Sequence, residues 1–211
     1  MTKKARAVEA VARLEQRYPD AICSLEYSER NAFQLLVATR LSAQCTDARV
    51  NLVTPALFAR FPDAVTLAGA TPEEVETYIR SCGLYKTKAR DLVAMAGQLM
   101  ERHGGEVPGT LEELTALSGV GRKTANLVCG DIFGMPGAVV ADTHCIRIAN
   151  RLGLCDTKDP LKVEDTLRAL LPPDKSNDFC HRLVLFGRDV CDARKPQCDT
   201  CPLADICPSK T

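Results

Sequence analysis

The nine residues LSGVGRKTA, numbers 117–125, decide how this chain is read. Gly119 and Gly121 flank one apolar residue, Val120, and helical sequence lies on either side. Before them, Thr110 and Glu113 form a capping box that opens a helix over residues 111–117. After them, Ala125, Val128, Cys129 and Ile132 recur on one helical face. Two helices joined by a glycine turn make a helix-hairpin-helix pattern. Both glycines are expected to adopt backbone conformations closed to other residues, letting successive N–H groups face outward at a helix start. Such a nest binds phosphate without reading a base. A lone Gly-x-Gly is explained as well by a tight turn between antiparallel helices. Arg122 and Lys123 directly behind it shift the reading toward phosphate.

Outward from the hairpin, the same period governs nearly the whole chain. Ala89, Leu92, Val93, Ala96, Leu99 and Met100 share one face, as do Val163, Leu167, Leu170 and Leu171. Thr71, Pro72 and Glu74 supply an N-cap, a first-turn proline and a capping-box carboxylate, and Asp159-Pro160 opens a further helix. Breaks fall at Gly104-Gly105, at GMPG (134–137) and at Leu171-Pro172-Pro173. Short runs such as Ala138-Val139-Val140 do not amount to strands. At 211 residues, the chain is expected to be all-α, with one sizeable core or two small ones.

Lys123 falls in the first turn of its helix, where the macrodipole disfavours a cation by roughly 0.3–1 kcal/mol. The neutral amine gains from that placement, and a neutral amine attacks an electrophilic carbon to form a Schiff base. A phosphate-binding lysine that never reacts explains the hairpin, taken alone, at least as well. ADTHC, residues 141–145, supplies a carboxylate: Asp142 is placed to N-cap the helix carrying Ile146, Ala149 and Leu152. Held there, it can also take the lysine's proton or stabilise positive charge on a sugar. Sequence alone does not bring the two residues together. His144 is expected to pack or hydrogen-bond nearby, with no chemical role.

The last quarter of the chain holds Cys191, Cys198, Cys201 and Cys207, with six, two and five residues between them. Such a quartet is a metal site or a disulfide knot. The opening MTKKARAVEA has no hydrophobic signal segment. Of 11 cysteines, the other seven (Cys23, Cys45, Cys82, Cys129, Cys145, Cys155 and Cys180) are scattered through apolar segments. An odd total and that scatter suit a reducing compartment such as the cytoplasm, where single cysteines act as small core residues. The quartet is then a metal site, with iron–sulfur or tetrahedral zinc as candidates. No apolar run approaches the ~20 residues of a bilayer span. Basic and acidic residues number 27 each, so the formal charge is zero. A nucleic-acid partner must therefore be met by local clusters: Lys86, Lys88 and Arg90; Arg122 and Lys123; Arg147 and Arg151; Arg188, Arg194 and Lys195. Taken singly, each reads as a solvated helix face.

Hairpin, Asp-Thr-His and cysteine quartet, in that order, resemble the endonuclease III family of DNA repair glycosylases. LSAQCTD (41–47), CGLYKTKA (82–89), LSGVGRKTAN (117–126), ADTHC and the quartet all fall in family order, so the resemblance runs from about Phe33 to Cys207. It implies two α-helical domains with a DNA-binding cleft between them. Residues 25–133 would form a central six-helix domain with the hairpin. Residues 1–24 and 134–211 would form a discontinuous domain carrying a [4Fe–4S] cluster on the four cysteines. The implied partner is double-stranded DNA with a damaged base or abasic site, met by a monomer in the bacterial cytoplasm. Oxidised pyrimidines are the implied substrates, flipped out because their glycosidic carbon is out of reach inside the stack.

By motif, Lys123 is the implied nucleophile at C1′ and Asp142 its carboxylate partner. Attack expels the base, and the imine permits β-elimination that nicks the strand 3′ to the lesion. Gln44 matches the residue that fills the gap left by the flipped nucleotide, and Leu84 matches an apolar wedge between bases. Without the resemblance, Gln44 reads as a helix-start polar residue and Leu84 as core. Gly119, Val120, Gly121 and Arg122 are the implied hairpin contacts to DNA, and Arg194 and Lys195 lie in the implied phosphate-contacting loop. Analogy with related hairpin glycosylases adds a monovalent-cation site at the carbonyls of Thr115, Leu117 and Val120.

Two departures stand out. Ser118 replaces a common proline and is expected to loosen the loop; Cys145 replaces an apolar branched residue, one small core residue for another. The rival readings are the adenine mispair glycosylase branch and a catalytically weak DNA-scanning iron–sulfur protein. The first normally lacks the lysine and carries an extra C-terminal domain, whereas here Lys123 is present and the sequence stops four residues after Cys207. Lys123 and Asp142 together argue against the second. DNA affinity rests largely on phosphate neutralisation, so zero net charge means either that the basic residues gather on one face or that binding is weak.

Overall fold

The computed structural model describes residues 1–210, and among these every regular element is helical. The α-helices are α1 (Lys3–Arg17), α2 (Ala32–Ser42), α3 (Asp47–Arg60), α4 (Ala64–Ala68), α5 (Pro72–Ile79), α6 (Tyr85–His103), α7 (Leu111–Thr115), α8 (Arg122–Asp131), α9 (Thr143–Arg151), α10 (Pro160–Leu170) and α11 (Ser176–Asp189). Short 3-10 turns occupy Pro173–Lys175 and Cys198–Thr200. Among the described residues no helix is long and apolar enough to cross a membrane. The chain divides into two compact units: Cys23–Phe133, and Met1–Ile22 together with Gly134–Thr211.

In the unit Cys23–Phe133, α2 is the central helix. Phe33, Leu35, Leu36, Val37, Ala38, Thr39 and Leu41 are all buried, and a helix apolar nearly all round belongs in the middle of a core. Helices α3, α6 and α8 pack against it. The buried stripe of α6 is Lys88, Ala89, Leu92, Met95, Ala96 and Leu99. Val93 and Met100, expected on that face, are only half-buried. The stripe is rotated because Lys88 belongs to it, a position that apolar periodicity alone assigns to solvent. Ile132, the last residue of its expected face, and Leu170, the last but one of its own, are likewise half-buried.

In the other unit α11 is central, burying Phe179, Cys180, Leu183 and Phe186. Gly187 lets α9 close upon it, since a Cβ there would lie 2.6 Å from His144 Cδ2 and 3.1 Å from Ile148 Cδ1. Helix α1 adds Ala7, Ala10, Val11 and Leu14, and the buried Arg182 of α11 donates Nε to the Tyr18 carbonyl at 3.3 Å. Residues 138–140 are buried without forming a strand; the Val140 N–H donates to Cys180 Sγ at 3.3 Å.

Eight helices begin with a side-chain cap, from Thr2, Asn31, Thr46, Asp63, Thr71, Thr110, Asp142 and Asp159. The exceptions are α6, α8 and α11. Helix α11 continues directly from a 3-10 turn. Helices α6 and α8 instead open at Leu84 and Gly121, two of the residues singled out by motif.

Candidate functional site

Helix α7 ends at Thr115, earlier than its sequence pattern suggests, and a turn carries the chain into α8. The Leu117 N–H donates to the Leu114 carbonyl and the Val120 N–H to the Leu117 carbonyl, each at 3.1 Å. Gly119 has φ +71°, and a Cβ there would lie 2.5 Å from Arg40 Nε and 3.0 Å from Asp91 Cβ. Both backbone and space demand glycine. Gly121 differs from expectation: its φ is −90°, and its added Cβ would meet nothing within 4 Å. Its bareness instead leaves the start of α8 unobstructed and without a side-chain cap, where the first N–H groups of a helix seek acceptors. Ser118 does not loosen the turn. Its N–H donates to Gln98 Oε1 at 2.6 Å, a bond that proline cannot make. Beneath the turn Arg40 and Asp91 form an ion pair. Val120 is buried, while Gly121, Arg122 and Lys123 are exposed. Burial pushes the Cys23 thiol up to about 12; Asp131 and Asp47 add to that rise and Lys123 opposes it.

Gln44 and Leu84 are two of the three non-glycine residues with positive φ among the described residues, at 54° and 58°. Such backbone costs roughly 1–3 kcal/mol per residue and concentrates at functional sites. Leu84 is 60% exposed, so it is not the core residue that its chemistry alone suggests. Gln44 is also exposed and lies between α2 and α3 rather than at a helix start. The two loops touch: a Cβ on Gly83 would lie 3.2 Å from the Gln44 carbonyl oxygen. Cys45 and Cys82 meet thiol to thiol, and burial, with Cys45 beside it, pushes Cys82 up to about 11. Lys88, read from sequence as part of a solvated face, is fully buried, and its Nζ donates to the Leu41 carbonyl at 2.8 Å.

In the unit Met1–Ile22 with Gly134–Thr211, Asp142 caps α9, its Oδ1 accepting the Cys145 N–H at 2.7 Å. Its Oδ2 lies 3.2 Å from His144 Nδ1. The helix start and the ring together fix a carboxylate whose side chain is only 15% exposed. Cys145 is fully buried, and its hydrogen bond with Cys180, then burial, holds its thiol well above the usual range.

Cys191, Cys198, Cys201 and Cys207 line one cavity of about 40 Å³, with Ile148, Phe186 and Leu203 among its apolar walls. One water needs only ~10–15 Å³. Four thiols around a shared space are the donor set that iron–sulfur clusters use. Burial raises the Cys201 and Cys207 thiols, and neighbouring cysteines raise them further. Arg147 and Arg151 are not the solvated pair that sequence suggests. Arg151 Nη1 donates to Cys191 Sγ at 3.2 Å and to the Asp192 carbonyl at 2.7 Å, and Arg147 Nη2 donates to the Cys191 carbonyl at 3.1 Å. Asp192 Oδ1 accepts the N–H groups of Arg194 at 2.8 Å and Lys195 at 3.0 Å, bonds that hold its carboxyl below the usual range. The side chains of Arg194 and Lys195 remain exposed.

Residues 37–173 match the family model of the HhH-GPD superfamily base excision DNA repair proteins, and residues 191–207 match that of the iron-sulfur binding domain of endonuclease III. Fold and site thus define a class, helix-hairpin-helix base excision repair proteins with a C-terminal iron–sulfur segment. Endonuclease III of Synechocystis sp. is 47% identical over 208 residues, covering 99% of this chain and 94% of the relative. Endonuclease III of Escherichia coli K12 is 41% identical, covering 98% and 97%. A solved trapped endonuclease III–DNA covalent intermediate, 42% identical, matches with a TM-score of 0.91 over 100% of this chain and 97% of that one. The chain belongs to the endonuclease III family. It is a DNA glycosylase and abasic-site lyase of base excision repair, and it carries a [4Fe–4S] cluster.

Proposed function

We propose that this chain removes oxidised pyrimidines from duplex DNA and nicks the abasic site through a Schiff base on Lys123. The observation that carries the reading is the start of α8. An exposed lysine stands in the first turn of a helix without a side-chain cap, directly behind the hairpin. Gly119, Val120, Gly121 and Arg122 present backbone and charge to a phosphate. Val120 contributes turn shape, since its N–H is already given to Leu117. Gln44 fills the gap left by the flipped nucleotide, and Leu84 wedges the stack open.

The Lys123 amine attacks C1′; the bond from C1′ to the base breaks, and the base leaves with a proton. The C1′–O4′ bond then opens, its oxygen takes a proton, and the lysine nitrogen forms the imine. Asp142 takes the amine's proton or balances the charge growing on the sugar. The imine at C1′ acidifies C2′, and loss of that proton expels the 3′ phosphate. The trapped covalent intermediate solved for an endonuclease III supports a route through an enzyme nucleophile. Cys191, Cys198, Cys201 and Cys207 hold the cluster, which when bound supplies iron–thiolate cross-links rather than hydrolytic chemistry. The segment so fixed offers Arg194 and Lys195 to a second phosphate. The enzyme works as a monomer, in the bacterial cytoplasm. The two units, Cys23–Phe133 and the remainder, serve as the hairpin domain and the cluster domain.

Borohydride trapping on a duplex with one oxidised pyrimidine tests this reading, with wild type beside Lys123→Gln. A covalent adduct from wild type alone is expected, with duplex binding by the variant nearly unchanged. Trapping that survives the substitution overturns it. Asp142→Asn is expected to slow excision by about 10²–10⁴-fold and to leave binding nearly intact, because asparagine caps a helix as well as aspartate does. Equal losses in excision and binding would reduce Asp142 to a helix cap.

A further inference from the structure

We infer that Lys88 is a positioning residue for base extrusion: it ties the loop of Gln44 to the loop of Leu84, so that both side chains enter the duplex as one unit. The inference rests on the insertion proposed for those two residues. Lys88 is fully buried on the inner face of α6, and taking an ammonium out of water is costly without a matched partner. Burial disfavours its charged form, with Arg40 adding to that and Cys45 and Cys82 opposing it. Its Nζ donates to the Leu41 carbonyl at 2.8 Å. Leu41 lies in the last turn of α2, where carbonyls lack helical partners and the macrodipole gathers negative charge. The end of α2 thus suits a buried cation, and the chain leaves it directly for Gln44.

The backbone of Lys88 lies one turn from the second loop: its N–H makes the opening i→i−4 bond of α6, to the Leu84 carbonyl at 3.0 Å, as any residue but proline at 88 would. What lysine adds is the side-chain bond from that first turn of α6 to the carbonyl three residues before Gln44. Two further contacts close the joint, Gly83 against the Gln44 carbonyl and the Cys45 thiol against Cys82. Gln44 and Leu84 both hold left-handed backbone, which a loop keeps only when its surroundings over-determine it. An apolar side chain fills a core without a desolvation cost. A lysine at position 88 makes sense where the polar link itself is used.

The test uses the full chain with its cluster, and a duplex bearing a tetrahydrofuran abasic analogue opposite 2-aminopurine, whose fluorescence rises when the stack opens. The readout is the affinity ratio of this duplex over an intact one, for wild type, Leu84→Ala, Lys88→Met and Gly83→Ala. Methionine keeps most of the buried stem and removes the donor. Lys88→Met is expected to lower the ratio about tenfold, the scale of one hydrogen bond to a charged group. It should abolish most of the fluorescence rise and keep intact-duplex affinity. General destabilisation would lower both affinities together and leave the ratio alone. A ratio lowered by Leu84→Ala and unmoved by Lys88→Met overturns the inference and leaves the insertion reading standing. A ratio unmoved by Leu84→Ala sinks both. Should Lys88→Met fail to fold, Gly83→Ala decides, because its Cβ crowds the Gln44 carbonyl with Lys88 in place. A lowered ratio then supports the joint, and an unchanged one overturns it.

Discussion

The hairpin at residues 117–121 and the cysteine segment at 191–207 are both irregular backbone with exposed cations beside or within it, yet they are held by different physics. The hairpin is fixed by ordinary packing. Val120 is buried, Ser118 bonds to Gln98, and Gly119 rests against Arg40 and Asp91. The cysteine segment has one three-residue 3-10 turn, and its buried apolar residues are Leu203 and Ile206. Its remaining order comes from arginine donors to carbonyls, from Asp192 and from four half-buried thiols. So little apolar burial does not offset the entropy of ordering such a segment, and a cross-link through the cluster makes up the difference. A turn between two packed helices needs no cofactor, whereas a segment with almost no core does.

Cys201→Ser gives the largest expected effect on that contrast. Losing one thiolate should empty the site of its cluster and abolish visible absorption. Hydrogen exchange should then show residues 191–207 unprotected while α7 and α8 keep their protection. Equal loss of protection at the hairpin would break the comparison, since the hairpin would then depend on the cluster as well. Gly119→Ala probes the opposite side with a smaller effect. Left-handed backbone and the overlap with Arg40 should cost about 1–3 kcal/mol, read as a lower melting temperature with the cluster's absorption retained. Gly121→Ala should cost less, because φ there is −90° and the space is open. The reverse order would mean that the second glycine, not the first, sets the turn.

Local chemistry made much of this legible from sequence. Thr71, Thr110, Asp142 and Asp159 cap the helices their spacing announces, because a cap is decided within four residues. The cysteine quartet is equally local. What escaped depends on tertiary neighbours. Nothing in CGLYKTKA distinguishes Lys88 from the exposed Lys86; only the end of α2 beside it does. The i, i+4 pair Arg147 and Arg151 looked solvated because their acceptors, around Cys191 and Asp192, lie some 40 residues away in sequence. Gly119 and Gly121 look alike in sequence, and the Arg40–Asp91 pair that separates them comes from two other helices. Chemistry alone placed Leu84 in the core, and the resemblance placed it outside. Its exposure on left-handed backbone departs from the reading by chemistry alone.

The smallest expected effect sharpens the comparison most, because it isolates charge from structure. Asp192 holds the cysteine segment through the backbone N–H groups of Arg194 and Lys195, not through their side chains. Replacing both side chains by alanine therefore leaves those bonds in place and removes two exposed cations. Each phosphate contact contributes about 0.9 to the slope of log affinity against log salt. Arg194→Ala with Lys195→Ala should then flatten that slope by up to about 1.8, with affinity at low salt reduced and the cluster's absorption intact. An unchanged slope would mean that the cluster orders a segment whose cations face away from DNA. The start of α8 would then carry the phosphate contact alone, and a chain of zero net charge would show the shallow salt dependence that its composition permits.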